Sequence, residues 1–263
     1  MKHTLKSFVL MLIASYQLSA GNIKALIIEG TASSHKGSFM ALQRNLDSWD
    51  FDVQQYVSSN QLGSGLEIHL NELELEDYQA VFVSIHQGTF SKTVLDSFSE
   101  YVKRGGHLFI VYQSYPKSYF VNAIEENSNK LLRTLGIEDE VVYQIADADI
   151  SHLGSIKLIN EDARLVNSSR ALRNKLKKEN NLVASPFKAM MNPGHSFHRN
   201  SKLNQAKSIV EFNGTKTNQV TSVFWEAGNG TVGIGTELNS CAAANTQVYN
   251  SWKLIMSLLF NQV

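Results

Sequence analysis

The chain has 263 residues, of which 43% are hydrophobic and 18% are charged. This is an ordinary globular composition, so the chain can bury a substantial core and global disorder is excluded. Lys and Arg together number 24, as do Asp and Glu, so the formal charges cancel. Because there is no basic field to attract phosphates, nucleic acid is not an expected partner.

The N-terminus follows the pattern of a secretory signal. A short basic region, MKHTLK, precedes the apolar run SFVLMLIASYQL and the small residues SAG. The run is shorter than the about 20 residues that a membrane-spanning helix needs, and no later stretch is long and apolar enough. We therefore predict a signal peptide over residues 1–20, cleaved after Ala20, and a secreted or periplasmic mature protein without a transmembrane span. The alternative is that the run is a buried first strand or helix.

Buried strands and amphipathic helices alternate through the first half of the chain. NIKALIIEG (22–30) is an apolar run closed by glycine, which is typical of a strand buried on both faces. Further strands are predicted at DFDVQQYV, at Ala80–Ile85 and at HLFIVYQ. SKTVLDSFSEYVKRGG has apolar residues at helical spacing and Ser91 as its cap, and a later helix ends at Gly136. This alternation predicts a mostly parallel sheet covered by helices on both faces.

The second half is less regular. Residues 151–219 break the alternation, and we predict that they form an irregular excursion from a single domain spanning residues 21–263. The pattern resumes at QVTSVFWEAGNGTVGIGTEL (219–238), where two strands flank an Ala-Gly-Asn-Gly turn and predict a β-hairpin. NTQVYNSWKLIMSLLFNQV (245–263) then predicts an amphipathic terminal helix.

Several of these segments together resemble the class I glutamine amidotransferase-like superfamily, and within it the trehalose-utilisation-like (ThuA-like) and related branches. They are ALIIEGTASSHKGSF, DYQAVFVSIHQGTFSKTVLDSFSEYVKRGGHLFIVYQS, NKLLRTLGI, and VFWEAGNGTVGIGTEL with the helix that follows it. The resemblance covers about residues 22–147 and 219–263. It implies an α/β fold, a flavodoxin-like three-layer sandwich, but no particular activity, because the superfamily hosts many chemistries.

The sequence departs from the catalytic pattern of that superfamily. Catalytic members carry a cysteine at a Gly-x-Cys-x-Gly elbow after the strand that corresponds to His107–Tyr112. Here that strand continues into Gln113 and Ser114, and the only cysteine of the chain is Cys241. The family's late His-x-Glu pair is also missing, since only GTELNS stands at that place. Glutamine hydrolysis is therefore not expected, and Cys241, with no basic helix start beside it, is expected to be a small buried residue.

Polar residues follow the predicted strands. In open α/β sheets, ligands bind outside the carboxyl ends of the strands, so these residues predict a crevice for a small polar molecule or a carbohydrate. We expect a ligand-binding or partner-binding domain with no cofactor. The late hairpin contributes Glu226 as a further candidate, and the ligand-binding residues predicted most directly are Glu29, Thr31, His35, His86, Gln87, Gln113, Ser114 and Glu237.

Two other hypotheses stay open. A hydrolase acting on a carbohydrate or an ester would use His86 and a carboxylate as its acid–base pair. Ser114 could be its nucleophile, although a turn-forming or helix-capping serine is the simpler role. A metal site would need His35, His86 and a carboxylate in a two-histidine, one-carboxylate set. Isolated histidines near strand ends are more often structural or ligand-contacting residues.

Overall fold

The computed structural model describes residues 23–30, 43, 46, 51–58, 73–85, 89–112, 118–145, 153–159, 187–190, 195–197, 200–213, 218–236 and 259. Two α-helices lie entirely within these ranges, α1 (Lys92–Lys103) and α2 (Ser118–Leu135), and residues 43, 46 and 259 are helical as well. The strands are β1 (Ile23–Gly30), β2 (Phe51–Ser58), β3 (Ala80–Ile85), β4 (His107–Tyr112), β5 (Tyr143–Ile145), β6 (Leu153–Ile159), β7 (Phe187–Met190), β8 (His195–Phe197), β9 (Ser208–Asn213), β10 (Asn218–Ala227) and β11 (Gly230–Thr236).

The first part of the sheet is parallel. Its strand order is β2-β1-β3-β4-β11, and each neighbouring pair in this series is parallel. This is the 2-1-3-4-5 order of flavodoxin-like folds, with β11 in the place of the fifth strand. The predicted α/β fold is therefore confirmed, as are strand β3 over Ala80–Ile85 and the late hairpin of β10 and β11.

The sheet continues beyond the parallel strands as an antiparallel extension. From β11 the order runs β10-β9-β6-β7, while β8 pairs with β10 and β5 pairs with β8. Four of these strands (β6 to β9) lie within residues 151–219, where the sequence shows no clear pattern. Short strands such as Phe187–Met190 and His195–Phe197 carry too few residues for an alternation to stand out.

The central strands of the sheet are buried on both faces. Four consecutive residues of β1, Ala25 to Ile28, are each at most 1% exposed. One face packs against α1 and α2 in a cluster that includes Leu26, Phe98 and Leu132. Because side chains alternate along a strand, Ile27 and its counterparts on the other strands are buried on the opposite face. Helical residues Leu46 and Leu259 are fully buried outside the first cluster, as a second covering layer requires.

Helix α1 begins as its sequence predicts. The Ser91 hydroxyl accepts a hydrogen bond from the backbone nitrogen of Val94 at 3.3 Å, which satisfies one of the donors at the start of the helix. The apolar side of the helix, with Phe98 and Val102, then packs into the core. Within the described ranges, neither helix has the length and apolar character to cross a membrane.

The hairpin turn packs onto the end of α1. The backbone nitrogen of Asn229 donates to the carbonyl oxygen of Lys103 at 3.2 Å. Gly228 has a φ of 63°, and a Cβ at this position would lie 2.6 Å from the same carbonyl oxygen. A left-handed backbone without a side chain is therefore needed for this contact. It fixes the end of α1 beside the amino ends of β4 and β11.

Candidate functional site

The carboxyl ends of the five parallel strands meet at one edge of the sheet, which we call the carboxyl edge. In the register of the sheet, Glu29 of β1 is the partner of Ser84 of β3. We describe such partners on neighbouring strands as level with each other. The last residues of β3, β4 and β11, which are Ile85, Tyr112 and Thr236, are level with one another. The loops that leave these strands therefore start from adjacent points along this edge.

The strand order places a switch point between β1 and β3. From β1 the chain proceeds to β2 on one side of the sheet, whereas from β3 it proceeds to β4 on the other. The chain thus leaves two neighbouring strands for opposite sides of the sheet, an arrangement that leaves a crevice between the connections in flavodoxin-like folds. In flavodoxin-like sheets the ligand binds at this crevice. The pair Glu29 and Ser84 marks its position near the carboxyl edge.

Most of the predicted site residues follow these strand ends. Glu29 lies within β1, one residue before its end. His86, Gln113 and Glu237 are the next residues in the sequence after the three level strand ends of β3, β4 and β11. Seven of the eight lie outside the described residues: Thr31, His35, His86, Gln87, Gln113, Ser114 and Glu237. Cys241 lies outside them as well.

Glu226 is not part of this edge, which corrects the prediction from the sequence. β10 runs antiparallel to β11, so the carboxyl end of β10 lies at the opposite edge of the sheet. Glu226 is level with Thr231, close to the hairpin turn, and its carboxylate lies 3.4 Å from the Lys207 ammonium. The side chains of Lys207 and Glu226 are 41% and 40% exposed, so this surface ion pair contributes little to stability.

Helix α2 holds the segment that leads from the carboxyl edge into α1. The Asn127 side chain is fully buried, and its Oδ1 accepts a hydrogen bond from the backbone nitrogen of Phe90 at 2.7 Å. The Phe90 ring in turn packs edge-on against Phe98, with ring centroids 5.6 Å apart. Both α1 and α2 start on the side of the carboxyl edge, where their amino ends carry partial positive charge.

A short two-stranded ribbon of β5 and β8 joins this edge beside β11. Phe197 of β8 is level with Val220 of β10. Because β10 runs antiparallel to β11 and its Ser222 pairs with Gly235, Val220 lies further towards the carboxyl edge than that pair. The ring of Tyr143 on β5 packs against the ring of Phe197, with ring centroids 4.7 Å apart. The Tyr143 hydroxyl also shares a hydrogen bond of 3.2 Å with Ser128 of α2. The ribbon is therefore fixed between α2 and β10.

The segment between α2 and β5 is held by buried polar side chains that the sequence analysis did not identify. Asn129 donates to the carbonyl oxygen of Val141 at 2.9 Å and accepts from its nitrogen at 2.8 Å. The Asp139 carboxylate is 5% exposed and accepts hydrogen bonds from Gln205 and Trp225. Their partners are distant in sequence, so no local spacing signals them. Among the described residues, no group of three or more His, Cys, Asp or Glu side chains could hold a metal ion.

Comparison with known proteins supports the fold alone. No family model matches the chain, and no curated protein sequence matches it. The structure is similar to that of a ThuA-like protein from Parabacteroides merdae ATCC 43184, with 15% identity, a TM-score of 0.52 and 90% of each chain covered. It is also similar to the mmIFT52 N-terminal domain, with 13% identity and a TM-score of 0.56 over 90% of this chain and 99% of that one. The chain thus has a ThuA-like fold.

Proposed function

We propose that this chain is an exported protein that binds a polar, hydroxyl-rich ligand in the crevice between β1 and β3. The observation that carries the proposal is the switch point at the carboxyl edge, where Glu29 is level with Ser84. Polar residues of the sequence follow both strands there, with Thr31 after β1 and His86 after β3. Hydroxyl and carboxylate groups around such a crevice suit a carbohydrate or another small polar molecule.

The residues after β4 argue for binding without glutamine hydrolysis. Strand β4 ends at Tyr112 and the sequence continues with Gln113, Ser114, Tyr115 and Pro116. Amide hydrolysis in the superfamily that this fold resembles requires a cysteine nucleophile at that place, and none is present in the sequence. Strand β4 and its parallel register are thus present while the sequence after the strand lacks the nucleophile, which favours a binding role.

Binding is tested by thermal shift with a defined panel of neutral monosaccharides, disaccharides, polyols and sugar phosphates. We expect at least one compound to raise the Tm of the wild type, because a ligand that binds only the folded state stabilises it. His86→Ala and Gln113→Ala should lose most of that shift. Glu100→Gln, on the exposed side of α1, should retain it. If no compound raises the Tm of the wild type, the proposal is wrong for this class of ligand.

The same panel separates binding from hydrolysis. The hydrolase hypothesis depends on His86 and a carboxylate as the acid–base pair, so p-nitrophenyl glycosides and esters should release p-nitrophenol only if this pair catalyses hydrolysis. We expect the wild type to release no more p-nitrophenol than the His86→Ala variant does. Turnover that His86→Ala abolishes would establish the enzyme and reject the pure binding function.

Export is tested separately from binding. The full chain should be expressed in a secreting host and the exported protein examined by intact mass spectrometry. We expect a mature form that begins at Gly21, as the basic, apolar and small regions of the N-terminus predict. Retention of the full-length chain inside the cell would contradict the export part of the proposal without affecting the ligand-binding part.

A further inference from the structure

The hairpin turn between β10 and β11 presents an asparagine that is followed by a glycine. Ala227 is level with Gly230, so Gly228 and Asn229 are the two residues of the turn. Gly228 has a φ of 63°, as the first position of a two-residue hairpin turn requires. Asn229 is exposed, whereas Gly230 is buried. The turn therefore places an asparagine at the surface, directly before a residue without a side chain.

An asparagine that precedes a glycine can lose its side-chain amide without an enzyme. The backbone nitrogen of Gly230 bonds to the side-chain carbonyl carbon of Asn229, and the amide nitrogen leaves as ammonia with the proton that Gly230 gives up. Water then opens the five-membered succinimide ring at one of its two carbonyl carbons. The product is either aspartate or isoaspartate, in which the main chain passes through the former side chain. Glycine favours ring closure because it has no Cβ to obstruct the approach of its nitrogen.

The docking of the turn beside α1 opposes ring closure in the folded chain. The backbone nitrogen of Asn229 donates to the Lys103 carbonyl oxygen at 3.2 Å, and that of Thr231 donates to the Gly106 carbonyl oxygen at 3.3 Å. Ring closure requires rotation of the main chain between Asn229 and Gly230. Because the residues on both sides of the Gly230 nitrogen are held by hydrogen bonds, this rotation requires the turn to separate from α1 and β4.

The surroundings of Gly230 also distinguish the two products. A Cβ at this position would lie 2.2 Å from the carbonyl oxygens of both Val102 and Gly106, so the main chain of Gly230 packs directly against other main chain. Aspartate keeps the normal length of the main chain at position 229. Isoaspartate adds one carbon atom to the main chain immediately before Gly230, where the packing leaves no room for a shift.

We propose that Asn229 is a site of spontaneous deamidation, and that the docking of the hairpin turn beside α1 controls its rate. The reaction proceeds when the turn separates from α1, and an isoaspartate formed in this way prevents the turn from docking again. The modification is therefore a permanent record of turn opening. The turn lies at the amino ends of β4 and β11, opposite the carboxyl edge, so this inference does not depend on the proposed ligand binding.

The test measures deamidation of Asn229 by peptide mapping and mass spectrometry during incubation at mildly alkaline pH. Fragmentation by electron transfer distinguishes isoaspartate from aspartate. The folded wild type is compared with the same chain in urea and with two variants. Gly228→Ala places a Cβ 2.6 Å from the Lys103 carbonyl oxygen and so drives the turn away from α1. Gly136→Ala is the control, because it carries similar left-handed strain at a φ of 80° but lies after α2.

Asn229 should deamidate at least about tenfold more slowly in the folded wild type than in urea, because only the open turn reacts. Gly228→Ala should deamidate about tenfold faster than the folded wild type, whereas Gly136→Ala should match the wild type. Equal rates in the folded and unfolded wild type would overturn control by docking, and this comparison decides the question even where Gly228→Ala does not fold.

Two further outcomes would overturn other parts of the proposal. No deamidation of Asn229 in the unfolded chain would reject the site itself. The fraction that carries isoaspartate should show faster hydrogen exchange of the Thr231 amide than the unmodified protein, because its hydrogen bond to Gly106 is lost. Unchanged exchange of this amide would show that the modified turn docks again.

Discussion

The carboxylate of Asp139 accepts a hydrogen bond of 2.8 Å from the indole nitrogen of Trp225, a residue 86 positions further along the chain. Trp225 is fully buried in β10, and the same carboxylate accepts from the backbone nitrogen of Gln205 at 2.9 Å. One side chain therefore joins the segment after α2 to the antiparallel extension of the sheet. The buried carboxylate is thus satisfied by N–H donors from two distant parts of the chain.

Replacing Asp139 by alanine should lower the free energy of unfolding by about 2–4 kcal/mol, because the buried indole nitrogen of Trp225 and the part-buried backbone nitrogen of Gln205 lose their acceptor. Asp139→Asn should lower it less, since the amide oxygen can still accept one hydrogen bond. Both values are measured by urea denaturation. Glu138→Ala is the control, because Glu138 is exposed and adjacent. A loss for Asp139→Ala no larger than that for the control would contradict the role of this carboxylate.

Asn129 is expected to be similarly important for the segment that leads into the β5–β8 ribbon. Asn129→Ala removes both hydrogen bonds to Val141 and should lower the free energy of unfolding by about 2–3 kcal/mol. It should also increase amide hydrogen exchange of Val141, which is measured by mass spectrometry or NMR. Lys130→Ala, next in sequence but half-exposed, should leave that exchange unchanged. Unaltered exchange of Val141 in Asn129→Ala would show that backbone contacts alone hold the segment.

Alanine substitutions at two glycines with a positive φ distinguish the destabilisation caused by a steric clash from that caused by backbone strain. Gly136→Ala introduces a Cβ with no atom within 4 Å, so it should lower the free energy of unfolding only by the left-handed strain, about 1–2 kcal/mol. Gly228→Ala adds a clash with the Lys103 carbonyl oxygen to the same strain. We therefore expect Gly228→Ala to be the more destabilised variant in urea denaturation. Equal losses would mean that the hairpin turn can move away from α1 at no cost.

Stability should fall at acidic pH because of His107. Burial lowers the pKa of its imidazole below the usual 6.5, and a hydrogen bond with the backbone of Leu259 opposes that shift only in part. The pKa of His107 is thus lower in the folded chain than in the unfolded chain, and between these two values the unfolded chain binds more protons. The stability that the neutral His107 contributes is therefore complete above about pH 6.5 and is lost as the pH falls below that value. Urea denaturation from pH 8 to 5 measures the slope. His107→Gln should flatten it, and an unchanged slope would assign the effect to other histidines.

The sequence predicts those elements whose signals are local. The apolar run of β3, the Ser91 cap and the glycine after α2 each sit within a few residues of the boundary that they determine, and the structure has these boundaries where they were predicted. Strands β6 to β9 were not predicted, because they are short and are stabilised by antiparallel partners far away in sequence. Such pairing depends on the tertiary fold and produces no periodic pattern of hydrophobic residues in the sequence.

The candidate site is predictable only in part, for a related reason. That polar residues follow the strands can be read from the sequence, but the edge to which each strand delivers them depends on its direction. Glu226 was assigned to the wrong edge because a hairpin reverses the direction of one of its strands. The buried Asp139 carboxylate could not be identified at all, since its partners Gln205 and Trp225 lie 66 and 86 positions further along the chain.

The position of β11 in the middle of the sheet has a consequence for how the protein is made. β11 lies between β4 and β10, although residues 230–236 are synthesised long after residues 107–112. Until β11 emerges, β4 presents an open edge and the two parts of the sheet cannot join. Such long-range pairing makes folding slow. The parallel strands and the antiparallel extension therefore become one sheet only after the hairpin of β10 and β11 has formed.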